Sequence, residues 1–239
     1  VALGKLAQAL MYGAEVIAVK GNFDRALEMA REAAEQKGFA IVNSVNPYRL
    51  WGQRSGAWEV CESLGSAPDW HAIPVGNAGN ISAYWAGYSQ YREIGKISKL
   101  PKMMGFQAAG AAPLVTGKPC PDPETVATAI RIGNPVSAHL AREAVELSGG
   151  EFNSVTDEEI LSAQYYLSSK GGIFAEPASC APLAGLVKLR GLGRLPKGIK
   201  AVMVLTGNGL KDPDTAMSQV GRPTEIGDSL DELLEVMKG

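Results

Sequence analysis

Cysteine is scarce in this chain: Cys61, Cys120 and Cys180 are the only three in 239 residues, and no CxxC or Cys/His spacing joins them. An odd set without ligand spacing gives neither a disulfide framework nor a metal site, and reads as reduced cytosolic thiols. Histidine is scarcer still. His71 and His139 are the only two and GxSxG is absent, so no Ser/His/Asp hydrolase set can be assembled. Neither sign of charge is in excess: 23 Lys+Arg against 25 Asp+Glu leave a net charge of −2, no footprint for nucleic acid or an anionic membrane. No apolar run has the length of a bilayer span, and the start, VALGKLAQALMYG, has no signal-peptide layout. Internal repeats, low-complexity tracts, a Walker A Gly-Lys-Ser/Thr and a GxGxxG turn are also missing. What remains is a soluble globular composition, 46% hydrophobic and 20% charged, long enough for one large domain or two small ones.

The stretch HAIPVGNAGNISAYW, residues 71–85, is the most informative part of the chain. Residues 72–75 form an apolar run that predicts a buried strand. Gly76-Asn77-Ala78-Gly79-Asn80 follows at once, and a helical pattern then continues to about Gly95. A strand, a glycine-rich turn and a helix start together aim several backbone N–H groups and a positive helix end at one anion. The two glycines allow close backbone approach and positive φ, and each Asn can cap or donate without adding charge. The plain alternative is an ordinary tight turn between strand and helix. The sharper reading is a site for a phosphate-bearing ligand smaller than a dinucleotide.

Leu3, Leu6 and Leu10 predict a helix stopped by Gly13, and residues 16–19 (VIAV) predict a strand covered on both faces. Asn22 can cap a helix whose apolar face is Phe23, Ala26, Leu27, Ala30 and Ala34, and residues 39–42 (FAIV) predict a second buried strand. This βαβ pattern implies parallel strands, and the fold class is α/β. Residues 43–49 (NSVNPYR) then predict a loop at the carboxyl end of that strand, where open parallel sheets bind ligands. Ser44 and Arg49 offer it a hydroxyl and a forked cation suited to phosphate, the alternative being a solvated Arg. Further helices are predicted over residues 50–64, 122–132, up to Gly149-Gly150, from a capping box at Thr156, and over 176–190; strands are predicted over 102–107, 173–175 and 201–205. Thr206-Gly207-Asn208-Gly209 stands on the last strand's carboxyl end, and Glu176 is the one acid in such a position worth attention. His71 reads as structural and His139 as a surface residue.

Gly76–Asn80 (GNAGN), residues 173–179 (IFAEPAS) and residues 205–212 (LTGNGLKD) together resemble the threonine synthases, pyridoxal-phosphate enzymes of the tryptophan-synthase β-like fold (fold type II). NSVNPYR and GFQA (105–108) also match, so the resemblance covers nearly the whole chain. The glycine loop alone is shared with serine and threonine dehydratases; the stretches in this order are specific. The resemblance implies a three-layer α/β/α fold with parallel-rich sheets. Residues 1–45 would finish a smaller domain and 46–239 would form most of a larger, cofactor-binding one. It implies pyridoxal 5'-phosphate as cofactor, with Gly76, Asn77, Ala78, Gly79, Asn80 and the backbone of Ile81 as the cup for its phosphate. Thr206 would face the pyridine nitrogen, where a neutral hydroxyl exchanges one hydrogen bond but cannot hold a pyridinium as a carboxylate would. Ser44 and Arg49 would bind the phosphate of the substrate, O-phosphohomoserine, which the family converts with water to threonine and phosphate. A cytoplasmic homodimer with no nucleic-acid or membrane partner is the corresponding expectation.

The family's Schiff-base lysine lies in a Ser-Phe-Lys-Asp-like motif, and a Ser-Thr-Gly-Asn loop grips the substrate carboxylate; neither motif occurs here. Both would lie upstream of Val1, so the chain looks like the later two-thirds of such an enzyme, and no catalytic residue is assigned within it. A dehydratase of the same fold is the nearest alternative, and Arg49 discriminates, because a substrate without phosphate gives a second anion site no role. A non-catalytic domain binding phosphate metabolites is favoured by the missing lysine and opposed by the substrate-phosphate residues.

Overall fold

The computed structural model describes residues 3–21, 23–43, 46–221 and 223–237. Its centre is the run WHAIP, which becomes strand β1 (Trp70–Pro74) with every residue buried. Apolar on both faces, β1 needs cover above and below, and parallel neighbours on either side. β2 (Lys102–Ala108) pairs on one side and β4 (Ala201–Met203) on the other, while β3 (Glu151–Val155) extends the sheet beyond β2. All pairings are parallel and the order is β3-β2-β1-β4.

Alternation along the strands sends side chains to two separate cores. Ala72, Met104 and Phe106 pack with Ile160 of helix α8 (Asp157–Gly171) and with Ala181, Ala184 and Leu189 of α9 (Pro177–Gly191). Ile73 and Met103 pack on the opposite face with Ala57 and Cys61 of α4 (Ser55–Leu64), Ile81 and Tyr88 of α5 (Gly79–Glu93), and Ala141 and Val145 of α7 (Ala138–Ser148). The result is the expected α/β/α layering, with each large apolar side chain contributing about 1.5–3 kcal/mol on burial. Helix α9 lies flush on the sheet because Gly185 has no Cβ; an added one would overlap the Phe106 ring.

Several sequence expectations are corrected. Residues 16–19 and 39–42 are not strands: no described residue forms a ladder with them, and Ile17 and Val42 are both 78% exposed. A continuous apolar run reports a tendency to be covered, but a strand exists only where a neighbour accepts its hydrogen bonds. The parallel sheet is built instead from β1 to β4. Residues 50–64 divide into α3 (Pro47–Gln53) and α4, so Arg49 stands on the first turn of a helix and not in a loop. Asn46 starts α3 by accepting the Tyr48 amide at 3.0 Å, and Pro47 follows it. Residues 122–132 hold only a single 3₁₀ turn (Thr128–Ile130), and tertiary bonds hold the rest of the segment in irregular form. Glu124 N donates to Gly110 O at 3.0 Å, Cys120 N to Gly133 O at 2.9 Å, and Thr125 Oγ1 to Asp157 Oδ1 at 2.5 Å. Residues 173–175 make one antiparallel bridge, Ala175 to Asn208, instead of a strand. β3 was not anticipated: EFNSV is mostly polar, and only its place beside β2 makes it a strand.

His71, on β1, is fully buried, with Nδ1 2.9 Å from the Tyr88 hydroxyl and its ring 4.5 Å from that of Tyr84. Burial holds it neutral and pushes its pKa down from 6.5 to about 3. The unfolded chain takes this proton near pH 6.5, so its contribution is intact above that pH and is lost progressively as pH falls toward 3. Urea denaturation should therefore show stability falling by roughly 1.4 kcal/mol per pH unit below about 6.5. His71→Asn should flatten that dependence; an equal slope in the variant would assign the acid sensitivity to other groups.

Candidate functional site

Residues at and just past the carboxyl ends of β1 and β4 line a cleft of about 620 Å³. They include the turn Gly76–Asn80, running into the amino terminus of the 15-residue helix α5. The positive φ falls on Ala78, at 65°, the only non-glycine so placed among the described residues. Neither Gly76 nor Gly79 has positive φ, so the expected conformational use of the glycines is corrected to a spatial one. A Cβ on Gly76 would stand 3.0 Å from both Ala129 O and Ile130 Cα, and one on Gly79 3.2 Å from Leu50 Cδ2.

The loop is fastened by its side chains and carbonyls while its amides are left over. Asn77 Oδ1 accepts the Val136 amide at 2.7 Å, Asn77 O accepts the Ser137 amide at 3.2 Å, and Asn80 Nδ2 donates to Gln53 Oε1 at 2.8 Å. Among the described residues no protein acceptor meets the amides of Gly76, Ala78, Gly79, Asn80 and Ile81. Five unpaired N–H groups on a turn and a helix start need an acceptor with several lone pairs, which a phosphate supplies.

Thr206, just past β4, lines the same cleft. Its Oγ1 lies 3.0 Å from Ser179 Oγ, and Glu176, 5% exposed at the start of α9, lines the wall beside it. Tyr84, Ala129 and Ile130 also line the cleft, as does Arg49, exposed on the first turn of α3 and with no carboxylate paired to it among the described residues. Behind α9's first turn, burial pushes the Cys180 thiol up to about 12, so it stays protonated and inert.

Gly76, Asn77, Ala78, Gly79, Asn80, Ile81, Arg49 and Thr206, far apart in sequence, thus line one cavity. Ser44 lies outside the described residues. Gln53, Tyr84, Ala129 and Ile130 were not anticipated. Two of them carried a signal: Gln53 follows Arg49 by four residues on α3, and Tyr84 follows Asn80 by four on α5, each on the same helix face. Ala129 and Ile130 carried none, since their position comes from an irregular segment. His139 is exposed on α7, as expected of a surface residue.

Pyridoxal phosphate has groups for both features: the free amides would take its phosphate, and Thr206 would offer its ring a hydroxyl. No lysine is among the cleft's described lining residues.

A family model described as pyridoxal-phosphate dependent enzyme matches residues 1–207. The chain is 57% identical over 227 residues to the threonine synthase of Synechocystis sp. (95% of this chain, 59% of that protein). It is 55% identical over 240 residues to the threonine synthase of Halalkalibacterium halodurans (100% of this chain, 68% of that protein). It therefore spans about three-fifths to two-thirds of these curated relatives' length. Among solved structures, an O-ureido-L-serine synthase superposes with a TM-score of 0.75 at 17% identity, covering 99% of this chain and 69% of that one. A threonine deaminase from T.th. superposes with a TM-score of 0.67 at 23% identity, covering 86% of this chain and 66% of that one. These two likenesses show the shared α/β fold, and with the sequence match they lead to one conclusion: the chain belongs to the family of pyridoxal-phosphate dependent enzymes.

Proposed function

We propose that this chain forms most of the cofactor- and substrate-binding body of a threonine synthase, which converts O-phosphohomoserine and water to threonine and phosphate. The observation that carries the reading is one cleft lined by two features suited to phosphate: the free amides of the 76–81 turn and Arg49. A substrate lacking phosphate would leave Arg49 without a partner, so this arrangement favours the synthase over a dehydratase. Names carried by relatives 49–57% identical support the same choice.

In this reading the amides of Gly76, Ala78, Gly79, Asn80 and Ile81 anchor the cofactor phosphate, with Asn77 holding the turn in shape through Val136 and Ser137. Thr206 sets the ring's orientation through one neutral hydrogen bond. Arg49, and Ser44 with it, binds the substrate phosphate; Arg49's planar fork matches two phosphate oxygens. Pyridoxal phosphate, when bound, supplies an electron sink for carbanion chemistry on the amino-acid substrate. The sheet is contained within residues 70–203, which supports assigning 46–239 to the larger domain and 1–45 to the smaller.

The test is an assay of the complete protein with pyridoxal phosphate and O-phosphohomoserine. Threonine and inorganic phosphate should appear in equal amounts, while ammonia release from serine or threonine at a comparable rate would move the assignment to the dehydratases. The 239-residue chain alone, treated with pyridoxal phosphate and borohydride, should give no stoichiometric adduct, since no lysine lines the described cleft. A single trapped lysine of this chain, with activity, would require a different layout.

A further inference from the structure

Thr206 does not stand alone. Behind it, in the first turn of α9, Ser179 is completely buried, and its hydroxyl meets three partners. Ser179 Oγ accepts the Gly207 amide at 2.8 Å, lies 3.0 Å from Thr206 Oγ1, and lies 3.4 Å from Gly207 O. A serine hydroxyl has one proton to donate. Gly207 O already accepts the Glu176 amide at 3.0 Å, so the shorter contact to Thr206 Oγ1 is the better destination for that proton. Thr206 Oγ1 then accepts from behind, and its own proton is left to point into the cleft.

We propose that Ser179 is a positioning residue that makes Thr206 a hydrogen-bond donor toward the cleft, so that the site selects a ring nitrogen carrying a lone pair over one carrying a proton. This rests on the reading of the cleft as a pyridoxal-phosphate site. Were Thr206 to donate backward to Ser179 instead, its oxygen would face the cleft as an acceptor and select the protonated ring. Ser179 reaches the ring only through Thr206, and its burial keeps water from substituting for its proton. Glu176 also lines the cleft here: an added Cβ on Gly207 would overlap its carboxylate, which therefore lies against the same turn. Its charge favours a protonated ring and works against Ser179. Among the described residues the other ionisable groups lining the cleft are Tyr84 and Arg49.

The probe is 4-deoxypyridoxine 5'-phosphate, which keeps the ring nitrogen and the phosphate but has no aldehyde and so needs no lysine. Its absorbance bound to the complete protein freed of its cofactor, followed against pH, reports the protonation midpoint of the ring nitrogen. Ser179→Ala should raise that midpoint by about one pH unit, a tenfold loss of preference for the unprotonated ring, and Ser179→Cys, a weaker donor of similar shape, should raise it by less. Thr206→Val should raise it at least as far, and Glu176→Gln should lower it. A purely structural Ser179 would lower the melting temperature and leave the midpoint in place. A shifted Thr206→Val midpoint with unshifted Ser179 variants overturns the role of Ser179 alone. No shift in Thr206→Val, or no binding of the probe to the complete parent protein, overturns the cleft reading beneath it. Should Ser179→Ala fail to fold, by circular dichroism, Ser179→Cys decides the question.

Discussion

Gly76→Val should weaken pyridoxal phosphate binding to the complete protein by about a hundredfold or more. The added Cβ would meet Ala129 O and Ile130 Cα at 3.0 Å, both backbone atoms of a segment tied down elsewhere, so the turn has to move instead. A shift of a few tenths of an ångström misaligns amides that converge on one phosphate. Losing two charge-assisted hydrogen bonds at about 1.5 kcal/mol each gives that factor. Absorbance titration with the cofactor measures it, and a melting curve without cofactor separates it from unfolding. Gly79→Val is the informative comparison. Its Cβ would meet only Leu50 Cδ2 at 3.2 Å, the movable end of a side chain, so the loss should be smaller. Parent-like affinity in Gly76→Val would mean that the turn does not hold the phosphate.

Arg49→Lys should raise the KM for O-phosphohomoserine about tenfold or more in the complete protein. The charge is kept, but the planar fork that spans two phosphate oxygens is lost, on the scale of about 1–3 kcal/mol for a charge-assisted hydrogen bond. Arg49→Ala should cost more, and adding inorganic phosphate as a competitive inhibitor should lose effect in both variants. The chemical step should change little, because in this reading Arg49 holds the substrate phosphate and not the cofactor ring. Unchanged steady-state kinetics would return Arg49 to a solvated surface cation and remove the main reason for preferring a phosphorylated substrate.

Much of this was written locally. The run WHAIP followed by GNAGN determines a buried strand, a turn too tight for large side chains, and a helix start, because strand burial, backbone approach and capping depend on residues within about ten of one another. The Thr156–Glu159 capping box is of the same kind: Thr156 Oγ1 accepts the Glu159 amide at 3.2 Å, and Glu159 Oε2 accepts the Thr156 amide at 2.8 Å. Thr206 after an apolar strand, and Arg49 just after Asn46-Pro47, were likewise visible as candidates.

Pairing and closure were not local. Residues 16–19 and EFNSV show the difference: the first has the stronger strand composition and pairs with nothing described, while the second lies beside β2 and becomes an edge strand. A ladder hydrogen bond needs a partner from elsewhere in the chain, and composition cannot state which segment arrives. The same holds for the cleft, where Ala129 and Ile130 line the wall because distant bonds to Gly110, Cys120 and Asp157 override the helical tendency of residues 122–132. The sequence by itself determined the α/β class, the glycine-rich turn between β1 and α5, and the list of polar candidates. Only the tertiary structure decided that the turn, Arg49 and Thr206 share one cavity, and that Ser179 stands behind Thr206, since those distances are set by the packing of α3, α5 and α9 around β1 and β4.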